Sequence, residues 1–355
     1  MSEELKKFRA QIDTIDDELL KLFNHRAKLA QQIGHAKNGA AVLRPEREAQ
    51  VLKRMVDANT GPLSAQSVST LFTEIMSHCR ALEEPLSVAY LGPQGTFTEA
   101  AAIKRFGQAC KGISCASIDE VFRKVESGEA NYGVVPVENS TEGAIGRTLD
   151  LLMQSPLRIC GEVLLAVHQC LLAHDADLSS IKRVYSHPQS LGQCQDWLNT
   201  HLPHAERVSV ASNAEAASLA AKEKHSAAIA GKQAAERFNI AVQAANIEDD
   251  PRNTTRFLVI GNQEVAASGR DKTSLVMSAA NRPGAVHDLL VPLAKNGVSM
   301  SKLESRPAKS GLWEYVFFVD IEGHQTDDKV AAALKELREV AAFVKILGSY
   351  PVSVI

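Results

Sequence analysis

Between residues 3 and 37 apolar side chains recur at spacings of four and three, at Phe8, Ile12, Ile15, Leu19, Leu22, Leu29 and Ile33, with no proline and with Gly34 as the first glycine. That period predicts a single helix about 50 Å long. A stripe of this length exceeds what a small domain covers with its own chain, so it requires a partner helix. Gly39 and Pro45 end and restart the helical pattern, and Gly61-Pro62 separates a second helix from a third that begins near Ser64. The third carries Val68, Leu71, Phe72, Ile75, Met76, Cys79 and Leu82 on one face, and Glu83 continues the 72, 76, 79 row. Residues 1–84 are expected to form an all-helical bundle completed by dimerisation.

After Glu84-Pro85 the pattern changes to short β-rich runs alternating with helical stretches: Val88–Leu91, Tyr132–Val137, Val163–Leu172, Arg183–Tyr185, Ala227–Ile229 and Phe257–Ile260. Alternation of this kind predicts an α/β unit over residues 88–264. Residues 265–270 are small and polar and read as a linker. From Asp271 to the end, the order is strand 273–279, helix 284–295, strands 298–306 and 312–321, helix 327–340 and strand 343–347, the ferredoxin-like βαββαβ order over residues 271–355. The fold class is therefore multidomain, α and α/β.

Lys plus Arg number 39 against 42 Asp plus Glu, a formal charge of -3, and no run of five like charges occurs. Nucleic-acid and membrane-surface roles gain no electrostatic support. Met1-Ser2-Glu3-Glu4-Leu5-Lys6 lacks the basic-then-apolar layout of a signal peptide, and no apolar run approaches the ~20 residues of a membrane span, so a cytoplasmic location is expected. The six cysteines form no C-x-x-C pair and read as buried thiols rather than zinc ligands or a disulfide frame.

Chemistry enters where the helical register breaks. The four-three row of the first helix passes through position 26, where Arg26 replaces an apolar residue and points into the seam. Periodicity leaves two readings open, an interface cation or a ligand-binding one. Arg9 and Lys37 share the helix, Arg47 and Glu48 open the second, and cations without matching carboxylates favour an anionic ligand between helices. Residues 5–84 resemble the all-helical chorismate mutases. The resemblance implies that Arg26, Lys37 and Arg47 grip the carboxylates and ether oxygen of chorismate, that Glu48 binds its hydroxyl, and that Arg9 reaches in from the other protomer. Three positions depart from the family pattern: Arg44 stands where an acidic residue can occur, Cys79 where Ser can, and Glu83 where Gln can. Glu83 can donate a hydrogen bond to the ether oxygen only when protonated.

In the second segment, polar clusters sit at strand ends, where open α/β sheets build ligand crevices: Gly92-Pro93-Gln94-Gly95-Thr96-Phe97, Glu138-Asn139-Ser140-Thr141, Ser186-His187-Pro188-Gln189, and Asn253-Thr254-Thr255-Arg256-Phe257. Any one of them alone reads as turn and cap chemistry. Together, G-P-x-G-T-F, V-P-V-E-N-S, S-H-P-Q-S-L-x-Q-C and T-R-F resemble prephenate dehydratase, which has its site between two α/β lobes. The resemblance implies Thr255 as catalytic acid or its organiser, Arg256 on a substrate carboxylate, and Asn139, Ser140, Ser186, Gln189 and Gln193 lining the pocket, with Thr96 and Glu138 as weaker members. His187, ahead of a proline, reads as structural.

In the third segment, Asn281-Arg282-Pro283-Gly284-Ala285-Val286 and Glu304-Ser305-Arg306-Pro307 resemble the effector motifs of ACT regulatory domains, with Val286 where Leu is usual. Phenylalanine is the implied effector, held by Asn281, Gly284, Ala285, Val286, Glu304 and Ser305 between two such domains. Removal of residues 271–355 is expected to leave an active, effector-insensitive enzyme. The three segments in this order resemble the bifunctional chorismate mutase/prephenate dehydratase family, which implies chorismate and prephenate as substrates, phenylalanine as inhibitor, a homodimer or larger homo-oligomer, and no metal or organic cofactor. A phenylalanine-binding regulator with decayed catalytic sites, and a dehydratase whose helices serve only dimerisation, are the alternative readings.

Overall fold

The computed structural model describes residues 2–36, 42–175, 177–280, 282–308 and 315–353. Helix α1 (Glu3–Ala36) runs unbroken, with Glu3 and Glu4 in its first turn, where the helix dipole favours them. None of its residues is buried, and Phe8, Ile12, Ile15, Leu22 and Ile33 are each more than half exposed. Helix α2 (Pro45–Asp57) opens on Pro45, whose fixed φ suits the first turn, and α3 (Ala65–Ala81) is capped by Ser64, which accepts from the Ser67 amide at 3.1 Å. Helix α3 stops before Glu83, whose amide closes a tight turn on Arg80 O at 2.9 Å ahead of Glu84-Pro85. Glu83 therefore lies past the helix rather than on its row, because Pro85 pushes the residue before it, Glu84, out of the helical region and the helix ends ahead of that pair.

The next segment builds β1 (Ser87–Leu91), α4 (Phe97–Phe106), β2 (Lys111–Cys115), α5 (Ile118–Glu126), β3 (Tyr132–Asn139), β4 (Gly143–Ala144), α6 (Gly146–Gln154) and β5 (Arg158–Ala166). The chain then crosses to a second lobe of β6 (Cys170–Ala173), β7 (Arg183–Ser186), α7 (Pro188–Gln193), α8 (Gln195–His201), β8 (Glu206–Ser209), α9 (Asn213–Ala220), β9 (Ser226–Ala230), α10 (Lys232–Phe238) and β10 (Val242–Ala245), and returns to the first lobe as β11 (Thr254–Gly261). The sheet orders are β2-β1-β3-β11-β5, with β4 on β3, and β10-β6-β9-β7-β8. The apolar run read as one strand over 163–172 is thus two strands in different lobes, parted at 167–169. Two connections, 167–169 and 246–253, join the lobes.

The C-terminal part consists of β12 (Asp271–Ser278), α11 (Ala285–Lys295), β13 (Met300–Pro307), β14 (Tyr315–Glu322), α12 (Asp328–Val340) and β15 (Phe343–Pro351), in the antiparallel order β13-β14-β12-β15. One sheet face packs on α11 and α12 through Leu275, Met277, Leu289, Leu293, Val330 and Leu334. The other joins the first lobe's core, where Val276, Phe318, Leu347 and Tyr350 meet Val135, Val137, Leu149 and Ile159. At Gly348 a Cβ would fall 2.2 Å from Ile159 O, so only glycine permits this backbone approach. Among the described residues no helix is long and apolar enough to cross a membrane.

Candidate active sites and effector surface

Strands β3 and β11 are antiparallel, and their register sets Asn139 opposite Thr255 at the ends nearest the second lobe. Asn139 Nδ2 donates to Thr255 Oγ1 at 2.9 Å and to Asn253 Oδ1 at 2.8 Å, while its Oδ1 accepts from Thr141 N and Oγ1 and from Glu142 N. The Asn139 amide is therefore locked, and Thr255, whose oxygen accepts from it, keeps its own proton to donate. Ser140 Oγ accepts from Thr254 N at 3.0 Å and pins the same strand end.

Across the interlobe connections, Gln169 Nε2 donates to Ser190 Oγ at 3.0 Å and to Gln193 Oε1 at 3.3 Å, and Asn213 Nδ2 donates to Ser190 Oγ at 2.8 Å. Glu248 braces the connections, accepting from Gln169 N at 2.8 Å and lying 2.7 Å from His168 Nδ1. Gln169 Oε1, Gln193 Nε2 and Asn253 Nδ2 are buried and meet no hydrogen-bond partner among the described residues. Each such group costs about 1–3 kcal/mol unless something pairs it. Two donors, Gln193 Nε2 and Asn253 Nδ2, and one acceptor, Gln169 Oε1, thus lie along the interlobe connections near Thr255, a set suited to a polar molecule that both accepts and donates.

Other expected members of this pocket have different tasks. Thr96 caps α4, accepting from Glu99 N and donating to Leu91 O at 3.0 Å, and Glu99 itself holds the Gly95 amide at the left-handed turn. This is a variant of the capping box in which Glu99 holds the amide before the cap, and both hydroxyl functions of Thr96 are occupied. Ser186 is fully buried, between Asn213 Oδ1 and Ile229 O, and stiffens the loop beneath the pocket rather than lining it. His187 caps α7, its Nδ1 accepting from Gln189 N, which agrees with the structural reading. Gln189 is half-buried in the first turn of that helix.

Arg256 corrects the sequence reading most clearly. Side chains alternate across a strand, so Arg256 points away from Thr255. Its guanidinium donates to Glu162 at 2.8 Å, Asp320 at 2.5 Å and the Tyr350 hydroxyl at 2.9 Å. Although burial works against the charge, Tyr350, Asp320 and Glu162 hold the guanidinium firmly protonated. It is a buried ion-pair centre between the lobe and the C-terminal sheet, not a carboxylate clamp.

In the helical segment Arg26 is half-buried on α1 while Arg9 and Arg47 are exposed, and Lys37 lies outside the described residues. A side chain at Gly34 would collide with the Glu83 carboxyl group, so this glycine lets Glu83 approach α1. Glu48 departs from its expected role: it is buried, ion-paired with Arg80 and, at 2.8 Å, with Arg105 of α4, and fastens the helices to the first lobe. A crevice of about 740 Å³ between α2, α3 and α4 contains none of the residues predicted from sequence.

On the C-terminal sheet the register aligns Ser278, Val316 and Arg306, so the loop after β12 and the end of β13 lie at the same end, two strand spacings apart, about 10 Å. Gly284 takes the left-handed conformation (φ 75°) that starts α11, and Val286, Ser305 and Leu303 are exposed while Glu304 is half-buried. Asn281 lies outside the described residues.

Asn253, Gln169, Ser190, Asn213 and Glu248 were not singled out as site residues. Asn253 and Ser190 stood within recognised motifs; Gln169, Asn213 and Glu248 carry no local signal, since their partners are 21 to 80 positions away.

Comparisons with known proteins agree with these three parts. The chorismate mutase type II family matches residues 8–84, prephenate dehydratase residues 88–265, and the ACT domain residues 273–339. The bifunctional chorismate mutase/prephenate dehydratase of Neisseria gonorrhoeae is 55% identical over 98% of this chain and 97% of its own. The prephenate dehydratase of Arthrobacter aurescens, solved in complex with L-Phe, has a TM-score of 0.70 at 36% identity, covering 75% of this chain and 90% of that one. A solved structure described as GqqA, a novel type of quorum quenching acylase, has a TM-score of 0.69 at 28% identity, covering 76% and 98%. Architecture alone therefore does not fix the chemistry. The full-length identity and the three family matches do fix the family: this chain belongs to the bifunctional chorismate mutase/prephenate dehydratases.

Proposed function

We propose that the chain rearranges chorismate to prephenate in its helical segment, 1–84, converts prephenate to phenylpyruvate in the cleft of 88–264, and is inhibited by phenylalanine through 271–355. The observation that carries the cleft assignment is the Asn139–Thr255 pair beside the buried amide atoms Asn253 Nδ2, Gln193 Nε2 and Gln169 Oε1, which meet no partner among the described residues. Prephenate loses carbon dioxide and its ring hydroxyl to become aromatic, so the enzyme has chiefly to assist hydroxide departure. Thr255, fixed as an acceptor by Asn139, directs its proton at that oxygen, while Asn253 Nδ2 and Gln193 Nε2 donate to the substrate's remaining oxygens.

The mutase step requires no proton transfer or nucleophile. It requires a dianion held compactly, with positive charge near the ether oxygen. Arg26, Lys37 and Arg47 supply this charge in our reading, with Arg9 from a second copy. A stripe of exposed Phe, Ile and Leu along α1 supports a homodimer at least, because apolar area of this extent on one helix calls for a matching helix. A cytoplasmic setting fits six free cysteines, with burial pushing the Cys160 thiol up to about 12. The test follows chorismate loss and phenylpyruvate formation with purified protein. Dehydratase activity without mutase activity reduces the helices to a dimerisation device, a reading favoured by Glu48's engagement with Arg80 and Arg105.

A further inference from the structure

Four charged residues form a quartet between the cleft sheet and the C-terminal sheet. On the cleft sheet, Glu138 of β3 and Arg256 of β11 are direct cross-strand partners. On the C-terminal sheet, so are Lys302 of β13 and Asp320 of β14. The two pairs face each other with complementary charge: Lys302 Nζ is 2.6 Å from Glu138 Oε2, and Arg256 Nη1 is 2.5 Å from Asp320 Oδ2. Three of the four side chains are 14% exposed or less, and Glu138 is 37% exposed, so screening by solvent is slight for most of the cluster. Glu162, Lys272, Tyr350 and Ser274 complete its deeper half.

What gives the quartet a functional bearing is its position in the register. One residue beyond Glu138 and one before Arg256 lie Asn139 and Thr255, themselves cross-strand partners, pointing to the opposite face and into the cleft. Any tilt of β3 against β11 that breaks the quartet changes the Asn139–Thr255 geometry on the other face. Strand β13 has the same two-sided character. Lys302, Glu304 and Arg306 are half-buried on the face towards the lobe, where Arg306 also reaches Asp150 at 3.3 Å, while Leu303 and Ser305 are exposed on the other. It is an edge strand, so its outer hydrogen-bonding side meets no strand among the described residues.

We propose that Lys302 and Asp320 are positioning residues for the dehydratase reaction: through Glu138 and Arg256 they align Asn139 with Thr255, and through β13 they carry occupancy of the Ser305 face to the cleft. The proposal rests on the functional reading above and adds to it the residues that connect regulation to chemistry. Ligand binding at the exposed face has to move β13 only slightly, because a packed ion-pair cluster has discrete arrangements rather than a continuous range.

The test uses the full chain and the variants Lys302→Met, Lys302→Arg and Asp320→Asn, with the mutase rate as an internal standard of folding. Lys302→Met should lower dehydratase kcat by about tenfold with the KM for prephenate little changed, as for a group that acts only on transition-state geometry. Calorimetric phenylalanine binding should persist while inhibition weakens, and Lys302→Arg should recover most of kcat, which a merely structural loss would not allow. Asp320→Asn, nearly isosteric, should reproduce the Lys302→Met pattern. Active wild type with an unchanged kcat and unchanged inhibition in Lys302→Met overturns the proposal alone, as does equal damage in Lys302→Met and Lys302→Arg. Wild type inert towards prephenate overturns the functional reading and this proposal with it.

Discussion

At Thr255 a single hydroxyl accepts from Asn139, which in our proposal leaves its proton for a molecule in the cleft. Thr255→Val preserves the shape and removes both functions, leaving Asn139 Nδ2 with Asn253 alone. We expect dehydratase kcat to fall by about 10²-fold or more with a much smaller change in KM, since a proton donor acts in the transition state. Mutase turnover should be unaffected, and steady-state kinetics on both substrates checks this; an unchanged kcat removes Thr255 from the chemistry. The motif containing Thr255 was legible in sequence, but its direction was not equally legible for every neighbour. Arg256, Glu48 and Thr96 all looked like ligand contacts because residue type and local spacing show what a group can do, not what it meets. Arg256 meets Glu162 and Asp320, 94 and 64 positions away, and Glu48 meets Arg105, 57 positions away. Thr96 was the exception with a local signal, since Glu99 three residues later completes a variant of the capping box.

Elements were legible where the period was long or the ends were marked. Helix α1 followed from its four-three spacing, α2 and α3 from Pro45 and Ser64, and the C-terminal strand and helix order from alternation. Strands β2, β8 and β10 escaped because each is a sheet edge, with exposed polar residues such as Lys111 and Glu206 in β2 and β8 and only four residues of mixed character in β10. The split of the 163–172 run was also hidden, because both halves are apolar and only the lobes they enter differ. On α1 the question passes from the element to what covers it. Arg26 sits in an otherwise apolar row, so Arg26→Ala removes a charge without weakening the stripe. We expect mutase turnover to disappear while the dehydratase rate on supplied prephenate stays within a few fold and association in sedimentation is retained. Mutase activity near wild type identifies Arg26 as an interface cation and withdraws it from the substrate site.

At the scale of the molecule, the C-terminal sheet is not the detachable regulator that segment order implied. Deleting residues 271–355 strips Val276, Phe318, Leu347 and Tyr350 from a shared core and leaves Arg256 and Glu162 without Asp320 and Lys272. With several large side chains uncovered at about 1.5–3 kcal/mol each, we expect the truncated chain to melt well below the intact one or to aggregate, where a wild-type melting temperature sinks this expectation. The same interface has a pH signature. Burial pushes the Tyr350 hydroxyl far above its usual range, and the Asp320 carboxylate adds to the shift. The folded chain therefore retains a proton that the unfolded chain releases near pH 10, so stability is intact below that value and falls as pH rises, by about 1.4 kcal/mol per unit for this group. Tyr90 and Tyr132, raised chiefly by burial, act in the same direction within the first lobe. Lysines titrate over the same interval, so the informative quantity is the difference between wild type and Tyr350→Phe, in which they cancel. Urea unfolding between pH 9 and 11.5 should show the wild type losing stability more steeply than Tyr350→Phe, by up to one proton's worth of slope. Parallel curves mean that Tyr350 ionises as readily in the folded chain as in the unfolded one, and that this interface is open to water.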